Sequence, residues 1–310
     1  MPCYHPIQGW RGRKKNPATG KYPIVFKPQL GYEDLPQNVS CGRCIGCTLK
    51  RSRAWAIRCV HEASLYERNC FITLTYDDEH LPSYGSLVMR HFQLFMKSLR
   101  KEFGSGIRYF HCGEYGAKFG RPHYHALLFN FDFDDKIPLK GDLFISDTLS
   151  RLWGKGYATV GSVSYESAAY VSRYVTKKTF GDRGSLDHRA LKESNRVPGV
   201  LYDPKGRPLK PEYITMSRRP GLGKGWLDKY TSDVYPDDFV VINGSKFNPP
   251  RYYDKNFELD NPDVFAKIVK SRMIKAKQNA GDSTPERLEV RERVSIKMIQ
   301  SSKREYENAT

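Results

Sequence analysis

Ile107-Arg108-Tyr109-Phe110-His111-Cys112-Gly113-Glu114 and His123-Tyr124-His125-Ala126-Leu127-Leu128-Phe129-Asn130-Phe131 are two β-rich runs, separated by a connection that Gly116, Gly120 and Pro122 mark as a turn. So short a link returns the chain antiparallel to itself, because a parallel pairing needs a crossover of a dozen or more residues. Upstream, Phe71-Ile72-Thr73-Leu74-Thr75-Tyr76 is a further strand, closed by Asp77-Asp78-Glu79 and Pro82. Between it and the hairpin, residues 89–103 carry Phe92, Phe95, Met96, Leu99 and Phe103 at three- and four-residue steps, which predicts an amphipathic helix. Downstream, the pattern predicts a helix over 146–153, a strand over 158–163 and a helix over 164–178 with Ser164 as its N-cap. The order strand, helix, strand, strand, helix, strand, helix predicts an α+β fold. Its antiparallel sheet would carry helices on one face, in the ferredoxin-like or RRM-like manner. A doubly wound parallel sheet would need a helix between nearly every pair of strands.

The flanks are less regular. The first fifty residues are rich in Pro, Gly and Lys, and a helical pattern with Trp55, Val60, Ala63 and Tyr66 near one stripe occupies 52–68. After Phe180 the sequence loosens into Gly, Pro and charge as far as Pro250, then turns helical and basic from Asn261, with a break at 281–285. The organisation expected is a Cys-rich segment and first helix over 1–66, a core over 67–180, a loop-rich extension over 181–250 and a basic helical tail over 251–310. No internal repeat is visible.

The 310 residues hold 51 Lys plus Arg against 34 Asp plus Glu, a formal charge of +17, and 13% of them are aromatic. An enzyme acting on a small neutral substrate gains nothing from that imbalance, whereas a protein that tracks a phosphate backbone gains attraction and counterion release. No stretch reaches the roughly 18 apolar residues of a membrane span, and the first residues lack the pattern of a signal peptide, so a cytosolic protein is expected. The seven cysteines then read as thiols or metal ligands rather than as a disulfide framework.

Two constellations carry chemistry. His123 and His125 are two apart on a strand, so both imidazoles point to one face while Tyr124 points to the other. Glu114, near the end of the partner strand, can reach them, and two nitrogens with one oxygen suit Mg²⁺ or Mn²⁺ acting on a phosphate, with Zn²⁺ also compatible. A bare His-x-His strand also arises by chance. In the second constellation, Tyr170, Tyr174 and Lys177 share one stripe of a helix. A phenol there would attack a phosphodiester, helped by positive charge because its reference pKa near about 10 leaves it protonated at neutral pH. Tyrosines four apart on a helix are also common as packing residues.

Cys41-x-x-Cys44-x-x-Cys47 offers three thiolates at the spacing of a zinc turn, with Cys3 or else His5 as the fourth ligand; a redox pair or simple burial is the rival reading. Arg51, Arg53 and Arg58, and Arg218, Arg219 and Lys224 near Gly221 and Gly223, suit contacts to DNA phosphates, although such runs also occur as solvated faces. No nucleoside-triphosphate loop of the G-x-x-x-x-G-K-[ST] type is present.

Phe71-Ile72-Thr73-Leu74-Thr75-Tyr76, Pro122-His123-Tyr124-His125 and Tyr170-x-x-x-Tyr174-x-x-Lys177 stand in the order of the three motifs of HUH endonucleases, which the chain resembles. Cys41-Gly42-x-Cys44-x-Gly46-Cys47, Cys112-Gly113-Glu114-Tyr115-Gly116 and Met216-Ser217-Arg218-Arg219-Pro220-Gly221 further resemble the replication-associated proteins of gokushovirus-type Microviridae phages. The likeness is continuous from Cys41 to Lys178 and patchy beyond. It implies a rolling-circle initiator that nicks the replicative-form origin of viral DNA, holds the end as a 5′-phosphotyrosine, and rejoins the single strand in the host bacterial cytoplasm. His123 and His125 match the metal ligands, Glu114 the variable third one, Tyr174 and Lys177 the Tyr-x-x-Lys core, and Tyr170 the added tyrosine of the two-tyrosine class. Thr75 would shape the sheet or touch DNA. A plasmid relaxase or single-strand transposase would share this chemistry; an RRM-like module would bind nucleic acid without cutting.

Overall fold

The computed structural model describes residues 2–116, 120–180, 202 and 205–301, with the side chains of 174–180, 300 and 301 outside that description. Its contacts divide the chain into two units, residues 1–50 with 271–310, and residues 51–270.

In the first unit, β1 (Ile7–Gly12), β2 (Ile24–Val25) and β3 (Gly31–Val39) form an antiparallel sheet in the order β2-β1-β3. The sequence pattern gave no sign of it. Most of these strand side chains are exposed, so there is no apolar alternation to read.

The second unit is built on a seven-stranded antiparallel sheet. After α1 (Ile45–Ala63) come β4 (Asn69–Thr75), α2 (Met89–Phe103), β5 (Arg108–Tyr115) and β6 (Pro122–Phe129). A hairpin of β7 (Lys136–Lys140) and β8 (Leu143–Ser146) follows, then α3 (Asp147–Trp153), β9 (Ala158–Gly161), α4 (Tyr165–Phe180) and β10 (Tyr213–Met216). The strand order is β10-β5-β6-β4-β9-β8-β7, with β4, β5, β6 and β9 in the ferredoxin-like arrangement at its centre. Later elements of this unit are α5 (Lys224–Lys229), a small hairpin of β11 (Val240–Ile242) and β12 (Ser245–Phe247), α6 (Arg251–Asp260) and the first part of α7 (Pro262–Gln278), while α8 (Pro285–Ser301) belongs to the first unit.

The α+β class and the antiparallel sheet are those expected. Helices α2 and α3 cover one face: Phe92, Phe95, Met96 and Leu99 meet Ile72, Leu74, Tyr124 and Leu128, with Leu149 and Trp153 beside them. The sheet is covered on its other face as well, where Ala56 and Cys59 of α1 and Ala168, Tyr170 and Val171 of α4 meet Phe71, Phe110, Leu127 and Phe129. This double cover explains why every residue of β6 is buried. It also places the odd-numbered residues of β6, His123 and His125 among them, under α4.

Local signals set the helix ends. Ser146 caps α3 by accepting from the Leu149 N–H, and Gly154 closes it in the left-handed conformation. At the start of α4, Ser164 Oγ accepts from the Ser167 N–H at 3.2 Å and Ser167 Oγ accepts from the Ser164 N–H at 2.8 Å, a reciprocal cap. Helix α1 starts at Ile45 rather than Ser52, because the Cys41–Cys47 turn leads directly into it. No helix among the described residues is long and apolar enough to cross a membrane.

Candidate functional site

Strand register assembles the site. Glu114 of β5 lies opposite His123 of β6, and Cys112 opposite His125. On the other side of β6, Thr73 of β4 lies opposite His125 and Thr75 opposite His123. Period-two alternation therefore brings Glu114, His123, His125, Thr73 and Thr75 to a single face.

The Glu114 Oε1 atom lies 2.8 Å from Nε2 of His123 and 2.8 Å from Nε2 of His125, and all three groups are buried. Burial on its own would raise the Glu114 carboxyl, but the hydrogen bonds from His123 and His125 outweigh it and hold the group well below the usual carboxylate range. Burial pushes the His125 imidazole towards its neutral form, against the pull of Glu114. Each ring is anchored through its outer nitrogen. His123 Nδ1 donates to the Arg121 carbonyl at 3.0 Å, and His125 Nδ1 meets Thr73 Oγ1 at 2.9 Å.

The chemistry of this donor set fits a metal ion. A carbonyl can only accept, so the His123 proton sits on Nδ1, leaving a lone pair on Nε2 in the neutral ring. That lone pair faces an ionised carboxylate oxygen at 2.8 Å. Two lone pairs so placed require a positive species between them, either a second proton or a divalent cation. The ligand atoms of Glu114, His123 and His125 all lie within 4.8 Å of one another. The outer-nitrogen anchors on Arg121 and Thr73 match the way metal-bound histidines are oriented by second partners.

Helix α4 brings a phenol to this triad. Tyr170 is buried, its Oη donating to Glu114 Oε1 at 3.1 Å and lying 3.5 Å from His125 Nε2. Its ring meets His125 edge-on at 5.0 Å between centroids, and Phe71 stacks on the imidazole at 5.6 Å and meets the Tyr170 ring edge-on at 6.5 Å. Tyr174 and Lys177 lie on the same helix, but their side chains are outside the described residues. Thr73, not Thr75, is the first-motif threonine bonded to a histidine. Sequence reasoning missed it, although alternation from Thr75 would have offered Thr73 as soon as β4 was paired with β6. Tyr124 points to the opposite face, as expected, and bonds to Tyr76 Oη at 2.7 Å.

The cysteines also converge. Sγ of Cys3 lies 3.5 Å from that of Cys41 and 3.9 Å from that of Cys44, while Cys41 and Cys47 are 4.0 Å apart. This is a second group able to hold a metal ion. Burial raises the Cys44 thiol, but N–H donors of Cys47 and Tyr4 and neighbouring thiols outweigh this and lower it to about 6. His5, the alternative fourth ligand, is instead largely exposed and bonded to Glu292 at 2.8 Å.

The basic residues divide into two groups. Arg218 and Arg219 are exposed on the turn after β10. That turn is held by Arg108, which donates to the Pro220 carbonyl at 2.7 Å, and by Glu62, which accepts from the Gly223 N–H at 2.7 Å. Arg51 and Arg53 are half-buried, the Arg53 guanidinium lying over Phe247 at 5.1 Å, and Lys224 pairs with Asp228. Arg58 departs from the expectation of a phosphate contact. It is buried, sandwiched between Trp55 at 4.1 Å and Tyr252 at 3.9 Å, and it donates to the Leu222 carbonyl at 3.0 Å. Both faces of that guanidinium are occupied by aromatic rings, so it serves as a packing element.

Residues 69–179 match the family model described as replication-associated protein ORF2/G2P. Over 290 residues, 86% of this chain and 83% of the relative, the sequence is 37% identical to the replication-associated protein ORF2 of Spiroplasma virus 4. It is 32% identical over 296 residues to the replication-associated protein VP4 of Bdellovibrio phage phiMH2K, covering 90% of this chain and 84% of that one. The replication-associated protein ORF4 of Chlamydia phage 1 is 29% identical over 239 residues, 72% of this chain and 55% of that protein. No solved structure matches the chain.

Proposed function

The chain belongs to the family of phage replication-associated proteins, and on that premise we propose that it initiates rolling-circle replication by nicking and rejoining one strand of phage DNA at the replicative-form origin. The observation that carries this reading is the Tyr170 hydroxyl, held 3.1 Å from a buried carboxylate that two histidines share. A tyrosine delivered by a helix to a Glu-His-His cluster is what transfer of a phosphodiester to a phenol requires.

Glu114, His123 and His125 would hold Mg²⁺ or Mn²⁺, and when bound the ion supplies Lewis acidity to the scissile phosphate. The phenol of Tyr170 or Tyr174 loses its proton to solvent and its oxygen bonds to phosphorus. The bond from phosphorus to the 3′ oxygen breaks, and that oxygen takes up a proton as a free 3′-hydroxyl. Lys177 supplies positive charge where the phosphate gathers negative charge. The product is a 5′-phosphotyrosine ester that keeps the energy of the cleaved bond, so the reverse attack of a 3′-hydroxyl rejoins the strand without a nucleotide. Tyr174 lies one turn of α4 beyond Tyr170, about 6 Å along the axis, which gives a second acceptor for a second transfer. Arg218 and Arg219 would grip the backbone near the far end of β5, about 17 Å from Glu114 by strand rise. Unwinding and synthesis in the bacterial cytoplasm would be the work of a host helicase and polymerase.

An RRM-like binding module would need an open sheet face on which bases can stack. Here α1 and α4 cover the face that carries His123 and His125, which favours the enzyme. The test is incubation of the full chain with origin-bearing single-stranded DNA and Mn²⁺, followed by a denaturing gel. A 3′-end label should migrate with the protein and a 5′-end label as a shortened free strand, both lost on chelation and in Tyr170→Phe/Tyr174→Phe. Tight binding with no adduct under any divalent ion would sink the proposal.

A further inference from the structure

The unit formed by residues 1–50 and 271–310 poses a physical problem. Among its described residues the buried hydrophobic side chains are Tyr4, Cys44 and Leu288, with Cys3, Cys41, Ile45 and Cys47 packed against them. Its sheet is almost fully exposed: β3 buries only its first residue, Gly31. So small an apolar cluster cannot offset the conformational entropy of ordering such a unit, and small units in that position are held by disulfides or by a metal.

We propose that Cys3, Cys41, Cys44 and Cys47 bind one structural Zn²⁺ and that this ion is the core of the unit. The inference is independent of the nicking chemistry and concerns a different set of residues. Four thiolates around tetrahedral zinc at about 2.3 Å place their sulfurs about 3.8 Å apart. The observed separations of 3.5, 3.9 and 4.0 Å bracket that value and are far beyond the roughly 2.05 Å of a disulfide.

The backbone is arranged to receive anionic sulfur. The Arg43 and Cys44 N–H groups both donate to Cys41 Sγ at 3.3 Å, the turn by which a Cys-x-x-Cys loop wraps a metal. Cys3 Sγ accepts from the Cys41 N–H at 3.2 Å and Cys44 Sγ from the Tyr4 N–H at 3.3 Å. On binding Zn²⁺ the four thiols release their protons to solvent, and these N–H donors offset part of the negative charge that remains on the sulfurs.

Two glycines make the cradle. Gly42 adopts φ +72°, which turns the chain back towards Cys44. At Gly46 an added Cβ would lie 2.2 Å from the Pro2 carbonyl oxygen, so the N-terminal segment can reach the turn only because that side chain is missing. Pro2 to Tyr4 is thereby brought onto Cys41 to Cys47, and Tyr4 Oη meets Ser295 Oγ of α8 at 2.6 Å. The ion would thus fasten the N-terminal segment to the Cys41–Cys47 turn, and Tyr4 carries that link on to α8.

The test uses the full-length, tag-free chain purified without chelator. Elemental analysis should find one zinc per chain, retained when Glu114, His123 and His125 are replaced together by Ala. Exchange with Co²⁺ should give the visible bands of a tetrahedral cobalt site together with near-ultraviolet thiolate-to-cobalt absorption. In Cys44→Ser the zinc should be lost, and the N-terminal segment should become sensitive to protease. Should that variant fail to fold, the Co²⁺ spectrum of the intact chain decides. Four thiols that react freely in zinc-supplemented native protein, iron in place of zinc, disulfides among these cysteines, or a cobalt spectrum without thiolate absorption would each overturn the proposal.

Discussion

Replacing Thr73 by Val removes one oxygen from the centre of the sheet while keeping shape and strand preference. In the native protein that oxygen lies 2.9 Å from His125 Nδ1, where it can accept a proton from Nδ1 and so leave the Nε2 lone pair for a metal ion. Without it the buried ring has two courses. It can keep the proton on Nδ1 with no partner, at a cost of about 1–3 kcal/mol. It can instead move the proton to Nε2, where it blocks metal ligation. Either way the divalent ion should bind about 10- to 100-fold more weakly, or about 1.4–2.7 kcal/mol. Thr73→Ser keeps the hydroxyl and should bind as the native protein does. Titration with Mn²⁺, following the electron paramagnetic resonance of the aqueous ion, measures this without any DNA. Thermal melts of the apo-proteins show whether the sheet is intact. Mn²⁺ affinity in Thr73→Val within about twofold of native, or an equal loss in Thr73→Ser, would refute the positioning role of this hydroxyl.

Other outcomes follow from the same structure. His61 is buried, bonded through Nδ1 to Tyr253 Oη at 2.9 Å and stacked on Trp226, and burial lowers its pKa to about 3. The unfolded chain, with His61 near about 6.5, then binds the extra proton between those values. Stability should be whole above the unfolded pKa and fall by up to about 1.4 kcal/mol per unit as pH drops towards the folded one; urea unfolding at several pH values checks this, and His61→Phe should flatten the slope. Glu62 is buried against Arg108 and accepts from the Gly223 N–H, so Glu62→Ala should cost about 1–3 kcal/mol by leaving the Gly223 N–H and the Arg108 Nε–H without their acceptor, measurable by denaturant titration. Gly46→Ala should displace Pro2 from the cysteine turn and lower metal retention there without changing Mn²⁺ affinity at Glu114, His123 and His125, a contrast that elemental analysis and Mn²⁺ titration report together.

What the sequence conveyed and what it withheld follow from where the information sits. The hairpin of β5 and β6 was legible because two β-rich runs flank one short turn, and the helix over 89–103 because its apolar stripe is continuous. Glu114 and the two histidines could be joined on paper because one short turn connects them. By contrast, β10 lies about a hundred residues from its partner β5, and only tertiary pairing makes Tyr213 to Met216 a strand. β7 is largely exposed and interrupted by Pro138, and β8 is only four residues long, so neither reads as a strand on its own. Arg58 and Glu62 are charged residues on a helix, which reads as solvated surface; their burial depends on Tyr252, Arg108 and the Gly221–Gly223 loop arriving from distant segments. The second cover of the sheet went unseen for the same reason, since nothing in α1 or α4 alone states which face they cross. Cys3 was foreseen as a partner of the Cys41–Cys47 turn from chemistry alone, because three thiolates leave a tetrahedral site incomplete.

The central claim is that a tyrosine of α4, placed beside Glu114, His123 and His125, becomes joined to DNA. Nuclease digestion of the adduct formed with Mn²⁺ and origin DNA, followed by peptide mapping in a mass spectrometer, tests it most directly. The nucleotide should be found on the peptide that contains Tyr170 and Tyr174, linked through its 5′ phosphate, and on no other peptide. A nucleotide on a serine, on a tyrosine outside α4, or linked through a 3′ phosphate would contradict it.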